Sequence, residues 1–204
     1  MPNLKVIDLS RELPENLLVS WNDMRHHTVG RDPKSRVTRI EAPGLLLKNG
    51  KMLSDYDLAT FIANGVLLDL THKKSEETID DEDLEAAEEG AGLAVREGEI
   101  VMLQTGCDDL AAYSSAFPRL SNNGAEYLQF KQVAGVGADT PSVDQPGRDF
   151  PVHKVLFEKG IFVIENLCGL WGIPESRFRL IALPLRVIGS VSPVRVMAVF
   201  NETV

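Results

Sequence analysis

The sequence lacks the features that mark secreted, nucleic-acid-binding and membrane proteins. Its two cysteines, Cys107 and Cys168, are far apart and neither has a CxxC neighbour, so no disulfide framework is indicated and a reducing compartment is expected. No lysine- or arginine-rich run occurs, and the formal net charge is −9, which argues against a nucleic-acid or anionic-membrane partner. The N-terminal segment has no long apolar region of the signal-peptide type, and no run approaches about eighteen consecutive apolar residues, so neither export nor membrane insertion is indicated. We therefore predict a cytoplasmic protein with a small-molecule or protein partner.

The apolar sequence that is present suffices for one core. The chain has 204 residues, 44% of them hydrophobic, with no repeat or linker, and is expected to form a single α/β domain over residues 1–204 with a mixed sheet. The predicted strands are Lys5–Leu9, Val37–Glu41, Gly65–Leu70, Ile100–Thr105, Gln132–Ala138, Ile161–Glu165, Phe178–Ala182 and Val194–Phe200. The predicted helices are Asp55–Ala63 with Ser54 as cap, Glu82–Ala91 after Asp80 or Asp81, Gly124–Phe130 after Asn122 or Asn123, and His153–Lys159.

A carboxylate stands where one predicted strand ends. In the segment SRVTRIEAPGL, Ser35 to Leu45, polar residues flank the β-branched Val37 and Ile40 as far as Glu41, as in a strand, and the segment then breaks at Ala-Pro-Gly. No histidine or cysteine lies within seven residues of Glu41 on either side. The purpose of this glutamate is therefore not evident from its own segment.

The segment HKVLFEKGIFVIENL supplies a second candidate pair. His153 lies on a predicted short helix, and Glu165 ends the apolar strand IFVIE, where an unpaired buried carboxylate would be costly. A metal ion, a hydrogen-bond network or solvent could each satisfy Glu165. An imidazole brought back by the turn at Gly160 is well suited to share a cation with it.

Seven segments, in order along the chain, resemble one known family. They are IDLS, APxxxxxNGK, VLLDLT, LxVxxGxIVxLxTG, VxGVGADTPSVD, HKxLxxxGIxxxENL and LPLRVxGSxSPVRVMAVF. Each is weak alone, but together they resemble the cyclase-like metal-dependent hydrolases, the group of bacterial kynurenine formamidase and isatin hydrolase. The resemblance implies a swivelling β/β/α domain, a homodimer or homotetramer, and a divalent metal, zinc or manganese, used to hydrolyse small cyclic or aryl amides and lactones.

The signature of that family, HxGTHxDxPxH, is degenerate in this chain. Aligned through the shared Ala-Pro, it falls on Ser35 to Leu45. Ser35 and Arg39 stand at the two ligand-histidine positions, Glu41 replaces the ligand aspartate, and Leu45 replaces the acid/base histidine. Of the motif's other residues, Thr38 and Pro43 are retained. The resemblance thus interprets Glu41 as what remains of a metal-bridging carboxylate.

Two interpretations of the site stay open. His153 and Glu165 match the family's remaining ligands, so Glu41, His153 and Glu165 could hold one metal where the family has room for two, with open positions for water. Alternatively, no metal is bound and the Arg39 guanidinium, which stays charged at any working pH, satisfies both carboxylates. In the metal version the ion would polarise a carbonyl and activate water. In the metal-free version Arg39 would be the electrophile and Glu41 or His72 would move the proton, which makes Arg39, Glu41 and His72 the candidate catalytic residues.

Other residues have weaker functional interpretations. Trp21 lies in the early loop, where the family commonly places an aromatic against the substrate, but it could equally anchor a loop. His26 and His27 could replace the missing ligands, although exposed loop histidines are more often idle. His72 could be a pocket acid/base or a capped surface group. Further candidates near the substrate are Thr38, from the family motif, and Ser142 and Asp144 of DTPSVD, although Pro-Ser is also ordinary turn chemistry.

Two classes of function follow. The first is a divergent cyclase-family hydrolase or lyase for a small cyclic, amide or lactone substrate, slowed by about 10² to 10⁴ in ordinary family chemistry because Leu45 cannot transfer a proton. The second is a catalytically inactive relative that binds a ligand or serves as a structural subunit. The first class predicts a void that admits a ligand, surrounded by Arg39, Glu41, His153 and Glu165. The second predicts that this void is filled by the side chains of Leu45, Leu46 and Leu47.

Overall fold

Eight strands of the described chain form one mixed sheet that closes on itself. A computed structural model describes residues 3–12, 37–108, 116–144 and 149–202. The strands of this sheet are β1 (Asn3–Asp8), β2 (Arg39–Glu41), β3 (Ile62–Asp69), β5 (Ile100–Gln104), β7 (Gly135–Ala138), β8 (Phe162–Glu165), β9 (Arg177–Pro184) and β10 (Val191–Glu202). Their order is β1-β10-β2-β8-β7-β5-β3-β9, and β9 also pairs with β10, which makes the sheet barrel-like. A separate short parallel pair joins β4 (Thr78–Ile79) to β6 (Arg119–Leu120).

Parallel and antiparallel pairing divide this sheet into two parts. Strands β3, β5, β7 and β8 run parallel to one another, whereas β2, β9, β10 and β1 make antiparallel pairs. Strand β8, with the sequence FVIE, is buried along its whole length. Both faces of a parallel strand are normally covered, which explains why this stretch is almost continuously apolar.

Three helices are found in the described residues: α1 (Asp81–Gly90), α2 (Asn122–Phe130) and α3 (Pro151–Glu158). Helix α1 begins after Asp80, which forms a reciprocal capping pair with Asp83, and α2 begins after Ser121, whose hydroxyl accepts from Gly124 N–H. Within the described residues, no helix is long and apolar enough to span a membrane.

Two apolar cores lie on opposite sides of the parallel strands. One packs the helices against the sheet and includes Leu84, Leu128, Leu156, Val101 and Val136. The other fills the closed sheet and includes Ile40, Met102, Phe162, Leu180 and Val196. The two faces of each parallel strand therefore supply different cores, since successive side chains point in opposite directions.

The eight predicted strands are all found in the large sheet, with shifted ends. Three of the four predicted helices are also confirmed, although α2 is capped by Ser121 rather than by Asn122 or Asn123. Gly160, at φ +76, follows α3 in the left-handed conformation that ends many helices.

The predicted helix over Asp55–Ala63 is wrong. Two short 3-10 turns, Leu53–Asp55 and Leu58–Phe61, occupy this region, and the chain then enters β3 at Ile62. Tyr56 is extended, donates its hydroxyl to Gly160 O at 2.7 Å and packs its ring against two phenylalanines. Such tertiary contacts outweigh the helix preference of this segment, because a helix of two or three turns is only marginally stable in isolation.

Candidate metal centre

The pairing of β2 with β8 brings an arginine and two glutamates together. Antiparallel register sets Arg39 directly opposite Glu165, and Glu41 lies two residues further along β2 on the same face as Arg39. Arg39 Nε donates to Glu41 Oε1 at 2.7 Å, and Arg39 Nη2 donates to Glu165 Oε2 and to Pro141 O. The guanidinium thus engages one oxygen of each carboxylate.

Helix α3 carries His153, which faces the oxygen of each carboxylate that Arg39 does not contact. Its ring is fully buried and packs edge-on against Phe150 and Phe157. His153 Nε2 lies 3.3 Å from Glu41 Oε2 and 3.4 Å from Glu165 Oε1. The candidate ligand atoms of these three residues all lie within 4.8 Å of one another, so the described chain can gather one imidazole and two carboxylates around a cation.

A third acidic residue holds the far side of the imidazole. Asp144 Oδ2 lies 2.6 Å from His153 Nδ1 and also accepts from His153 N–H, while Oδ1 accepts from Val152 N–H. Asp144 is 1% exposed. A carboxylate on the second ring nitrogen is the usual partner of a metal-binding histidine, because it orients the ring and fixes the proton on that nitrogen.

Burial and neighbouring charges oppose each other at Glu41 and His153. Burial raises the pKa of Glu41, but the charges of Arg39 and His153 outweigh it and lower that pKa to about 2. Burial lowers the pKa of His153, but its contacts with Asp144, Glu165 and Glu41 raise it well above the ordinary value. Without a metal, the site therefore favours an ionised Glu41 and a proton on His153.

A divalent cation would balance the charges of the cluster. The carboxylates of Glu41, Asp144 and Glu165 contribute three negative charges and Arg39 one positive charge, so the cluster carries −2 while His153 is neutral. A proton on His153 leaves −1, whereas a divalent ion brings the sum to zero. Because uncompensated buried charge is costly, a divalent ion suits this donor set better than a proton does.

Two further observations agree with a metal. Glu41 Oε2 and His153 Nε2 are buried without a hydrogen-bond partner, although they face each other as an ionic contact. The separations of 3.3 and 3.4 Å from Nε2 to the two oxygens match the spacing of about 3.3 Å between ligand atoms of a tetrahedral zinc with bonds of about 2.0–2.1 Å. The residues present therefore fit a divalent metal.

Not all predicted site residues join this cluster. The Thr38 hydroxyl accepts from Arg11 N–H and donates to Asn166 O, so it links the start of β2 to the segments after β1 and β8. Ser142 Oγ accepts from Asp144 N–H and supports the turn. The His72 side chain is 62% exposed and lies 3.9 Å from Asp83 at the start of α1, in no described contact with Glu41 or His153.

Four further positions were singled out from the sequence. Trp21, His26, His27 and Ser35 lie outside the described residues. Leu45, Leu46 and Leu47 are half-buried and pack against the core between helices and sheet, and the turn Pro43–Leu45 lies against α3. These leucines thus have a packing role beside the helix that carries His153.

Sequence reasoning missed the role of Asp144. Its segment, DTPSVD, was singled out, but its contact with His153 was not predicted. The available signal was the placement of an acid nine residues before the histidine, with Pro151 between them at the start of a helix.

Comparison with known proteins identifies the family. The sequence model of the family described as putative cyclase matches residues 7–145, more than half of the chain. The chain belongs to the putative cyclase family. It is 30% identical over 162 residues to a kynurenine formamidase of Bacillus cereus, covering 78% of this chain and 72% of the relative.

Solved structures confirm the fold of this cyclase-family chain. A potential metal-dependent hydrolase with cyclase activity superposes with a TM-score of 0.77 at 27% identity, covering 98% of this chain and all of the other. An isatin hydrolase bound to thioisatinate superposes with a TM-score of 0.76, covering 98% of this chain and 93% of the other; at 19% identity this likeness shows the fold alone. The predicted α/β class with a mixed sheet and the predicted family resemblance are both confirmed.

Proposed function

We propose that this cyclase-family protein is a single-metal hydrolase that acts on a small cyclic, amide or lactone substrate. The observation that carries the proposal is the convergence of His153 Nε2, Glu41 Oε2 and Glu165 Oε1 in a buried cluster whose charges a divalent ion balances. Two of these three atoms have no hydrogen-bond partner. Three ligands of mixed nitrogen and oxygen type leave a coordination position for water or substrate, as catalytic zinc requires.

Arg39 limits the site to one ion. It stands at a position where the family signature has a ligand histidine, and its guanidinium engages Glu41 Oε1 and Glu165 Oε2 on the side away from His153. A second divalent ion on those oxygens would have to displace a fixed positive charge. Arg39 therefore supplies, as part of the chain, the positive charge that a second ion would otherwise bring.

The roles of the remaining groups follow from their contacts. A bound divalent ion would polarise the scissile carbonyl and lower the pKa of a water molecule. Glu41 is held ionised by Arg39, which suits a ligand more than a proton carrier. Leu45 stands at the family's acid/base position. Substrates whose leaving group departs without protonation, such as aryl lactones, which open to a phenolate, and activated cyclic amides, are therefore favoured over ordinary amides.

The relatives suggest which compounds to test first. Kynurenine formamidases and an isatin hydrolase are among the proteins this chain resembles. We therefore include N-formylkynurenine and isatin together with simple aryl lactones. Zinc or manganese as the ion, a homodimer or homotetramer as the assembly, and a cytoplasmic location stay predictions of the resemblance and composition.

One observation favours a second candidate, a catalytically inactive ligand-binding or structural subunit. Arg39 already forms ion pairs with both glutamates and reduces the need for a metal. In that case no divalent ion would be retained, and no substrate would be hydrolysed with either zinc or manganese.

The test is a hydrolysis assay of the zinc- and manganese-reconstituted protein on these compounds. We expect metal-dependent turnover of at least one lactone or cyclic amide, and its loss in Glu41→Gln. Glu99→Gln is the matched control, because Glu99 is equally buried but pairs with Arg177 away from the cluster. Turnover that survives Glu41→Gln, or that ignores added metal, would contradict the proposal.

A further inference from the structure

One turn contacts Arg39, Glu165 and His153 of the metal centre. This turn, residues 140–144, follows β7 and the adjoining Asp139. Pro141 O accepts from Arg39, Val143 N–H donates to Glu165 Oε1, and Asp144 holds His153. Its own shape is fixed by hydrogen bonds from Thr140 Oγ1 to Ser142 O and from Asp144 N–H to Ser142 Oγ. Asp144 is the one charged side chain that the turn contributes to the cluster.

Asp144 also replaces the missing cap of helix α3. The N-cap residue Phe150 has φ 43 and no capping side chain, so the first N–H groups of the helix need an acceptor from elsewhere. The two carboxylate oxygens of Asp144 accept from Val152 N–H and His153 N–H. In α2, by contrast, Ser121 immediately before the helix does this locally. The start of α3 is therefore tied to a residue outside the helix.

The Asp144 carboxylate also contacts the imidazole ring of His153. Asp144 Oδ2 accepts from His153 N–H and lies 2.6 Å from His153 Nδ1. A carboxylate accepts hydrogen bonds and donates none, so this contact requires the proton on Nδ1. Nε2 is then the nitrogen whose lone pair can face Glu41 and Glu165.

We propose that Asp144 is the positioning residue of the metal centre. Its carboxylate fixes the backbone of α3 at His153 and determines which ring nitrogen of His153 is available to the metal. The position of the helix start and the orientation of the ligand therefore depend on the same side chain. The inference rests on the proposed single-metal function. A role in helix capping alone would need only the two backbone contacts and would leave metal affinity nearly unchanged.

The test compares two aspartate-to-asparagine variants. Asp144→Asn removes the charge with little change of shape. Asp139→Asn is the matched control: Asp139 is equally buried and adjoins the turn, but its carboxylate accepts from Thr105 and Gly106 and does not contact His153. Zinc affinity is measured by competition with a chromogenic chelator, and the visible spectrum of the cobalt-substituted protein reports ligand geometry.

We expect Asp144→Asn to bind zinc about 10- to 100-fold more weakly and to change the cobalt spectrum, whereas Asp139→Asn keeps both. A loss of less than about tenfold in a folded Asp144→Asn protein would overturn the inference. If that variant does not fold, Asp144→Glu takes its place with the same threshold, because the longer arm displaces the carboxylate from Nδ1.

A metal-free readout separates this inference from the proposed function. In ¹⁵N-histidine-labelled apoprotein, the Nδ1 proton of His153, assigned by its absence in His153→Gln, should exchange with solvent faster in Asp144→Asn than in wild type. If wild type takes up no zinc, the proposed function fails, and the exchange rate then decides the inference. Equal exchange in the two proteins overturns it, whatever the metal result.

Discussion

Removal of the Arg39 charge should destabilise the metal-free protein and strengthen its response to zinc. The perturbation is Arg39→Met, which keeps much of the side-chain volume and removes the guanidinium. Glu41 and Glu165 would then be two carboxylates, each no more than 1% exposed, without the cation that now bonds to both. Removing one partner from a buried ion pair is among the most destabilising changes in proteins, because it leaves a buried charge uncompensated.

The magnitude follows from the ion pairs that are broken. Breaking a buried ion pair by removing one partner costs about 3–5 kcal/mol. Arg39 is one of the charges that lower the pKa of Glu41 to about 2, so its removal raises that pKa, and protonation of the carboxyl keeps the cost near the lower end of this range. We therefore expect the free energy of unfolding of metal-free Arg39→Met at pH 7 to be lower than wild type by about 3 kcal/mol.

The assay is urea unfolding of wild type and variant, each with chelator and with excess zinc. A zinc ion bound at His153 would neutralise the same two carboxylates as Arg39, but from the opposite side, so the two cations would partly replace each other. The gain in unfolding free energy on adding zinc should therefore be larger in Arg39→Met than in wild type. Arg177→Met is the control, since it breaks the two-contact pair with Glu99 away from the site.

The control should lose stability without gaining any extra response to zinc. The reasoning is refuted if metal-free Arg39→Met unfolds with the wild-type free energy. It is also refuted if zinc stabilises Arg39→Met no more than it stabilises wild type, because the two cations would then not share the carboxylates.

Three further predictions follow from the same contacts. Glu165→Gln should bind zinc at least about 100-fold more weakly than wild type, as measured by chelator competition. Loss of a group that only supports a ligand costs about 10- to 100-fold in affinity, and loss of a ligand itself should cost more. An unchanged affinity would show that Glu165 is not a ligand. The folded-state pKa of Glu41 lies below its ordinary value, so its contribution is present above pH 4.5 and is lost as the pH falls toward 2; Glu41→Gln should flatten the acid limb of apoprotein stability, and an unchanged limb would contradict that pKa. Gly135→Ala should cost about 1–3 kcal/mol in urea unfolding, since the added Cβ would lie 2.2 Å from the Phe162 ring; unchanged stability would refute the close packing of β7 on β8.

The parts of the fold that local sequence determines were predictable. Strands β5 and β8 are apolar up to their last residue, and β3 contains the apolar run of residues 66–68; runs of this kind in an α/β protein are typical of buried parallel strands. The segment Asp55–Ala63 shows the limit. Its acidic first turn favours a helix, yet the Tyr56 hydroxyl bond to Gly160, more than a hundred residues away, helps hold it in an extended path. Only the tertiary structure contains that competing contact.

Four residues of the cluster were predictable from the sequence, but the contact of Asp144 and the geometry of the cluster were not. The spacing of HKVLFEKGIFVIE and the remnant of the family signature selected Glu41, His153, Glu165 and Arg39, and the structure brings these four together. Sequence alone could not decide whether the arginine replaces the metal or shares the carboxylates with it. Sharing requires that Arg39 leave one oxygen of each glutamate available for a metal ion. In the structure Arg39 and His153 contact different oxygens of Glu41 and of Glu165.

The most direct test of the single-metal site is metal stoichiometry. Elemental mass spectrometry would be applied to untagged protein purified without chelator, before and after incubation with zinc and manganese followed by dialysis. The Glu41, His153 and Glu165 site predicts about one retained divalent ion per chain. Retention of none after incubation would contradict the metal site, and retention of two would contradict the role of Arg39 as the cation that limits it to one.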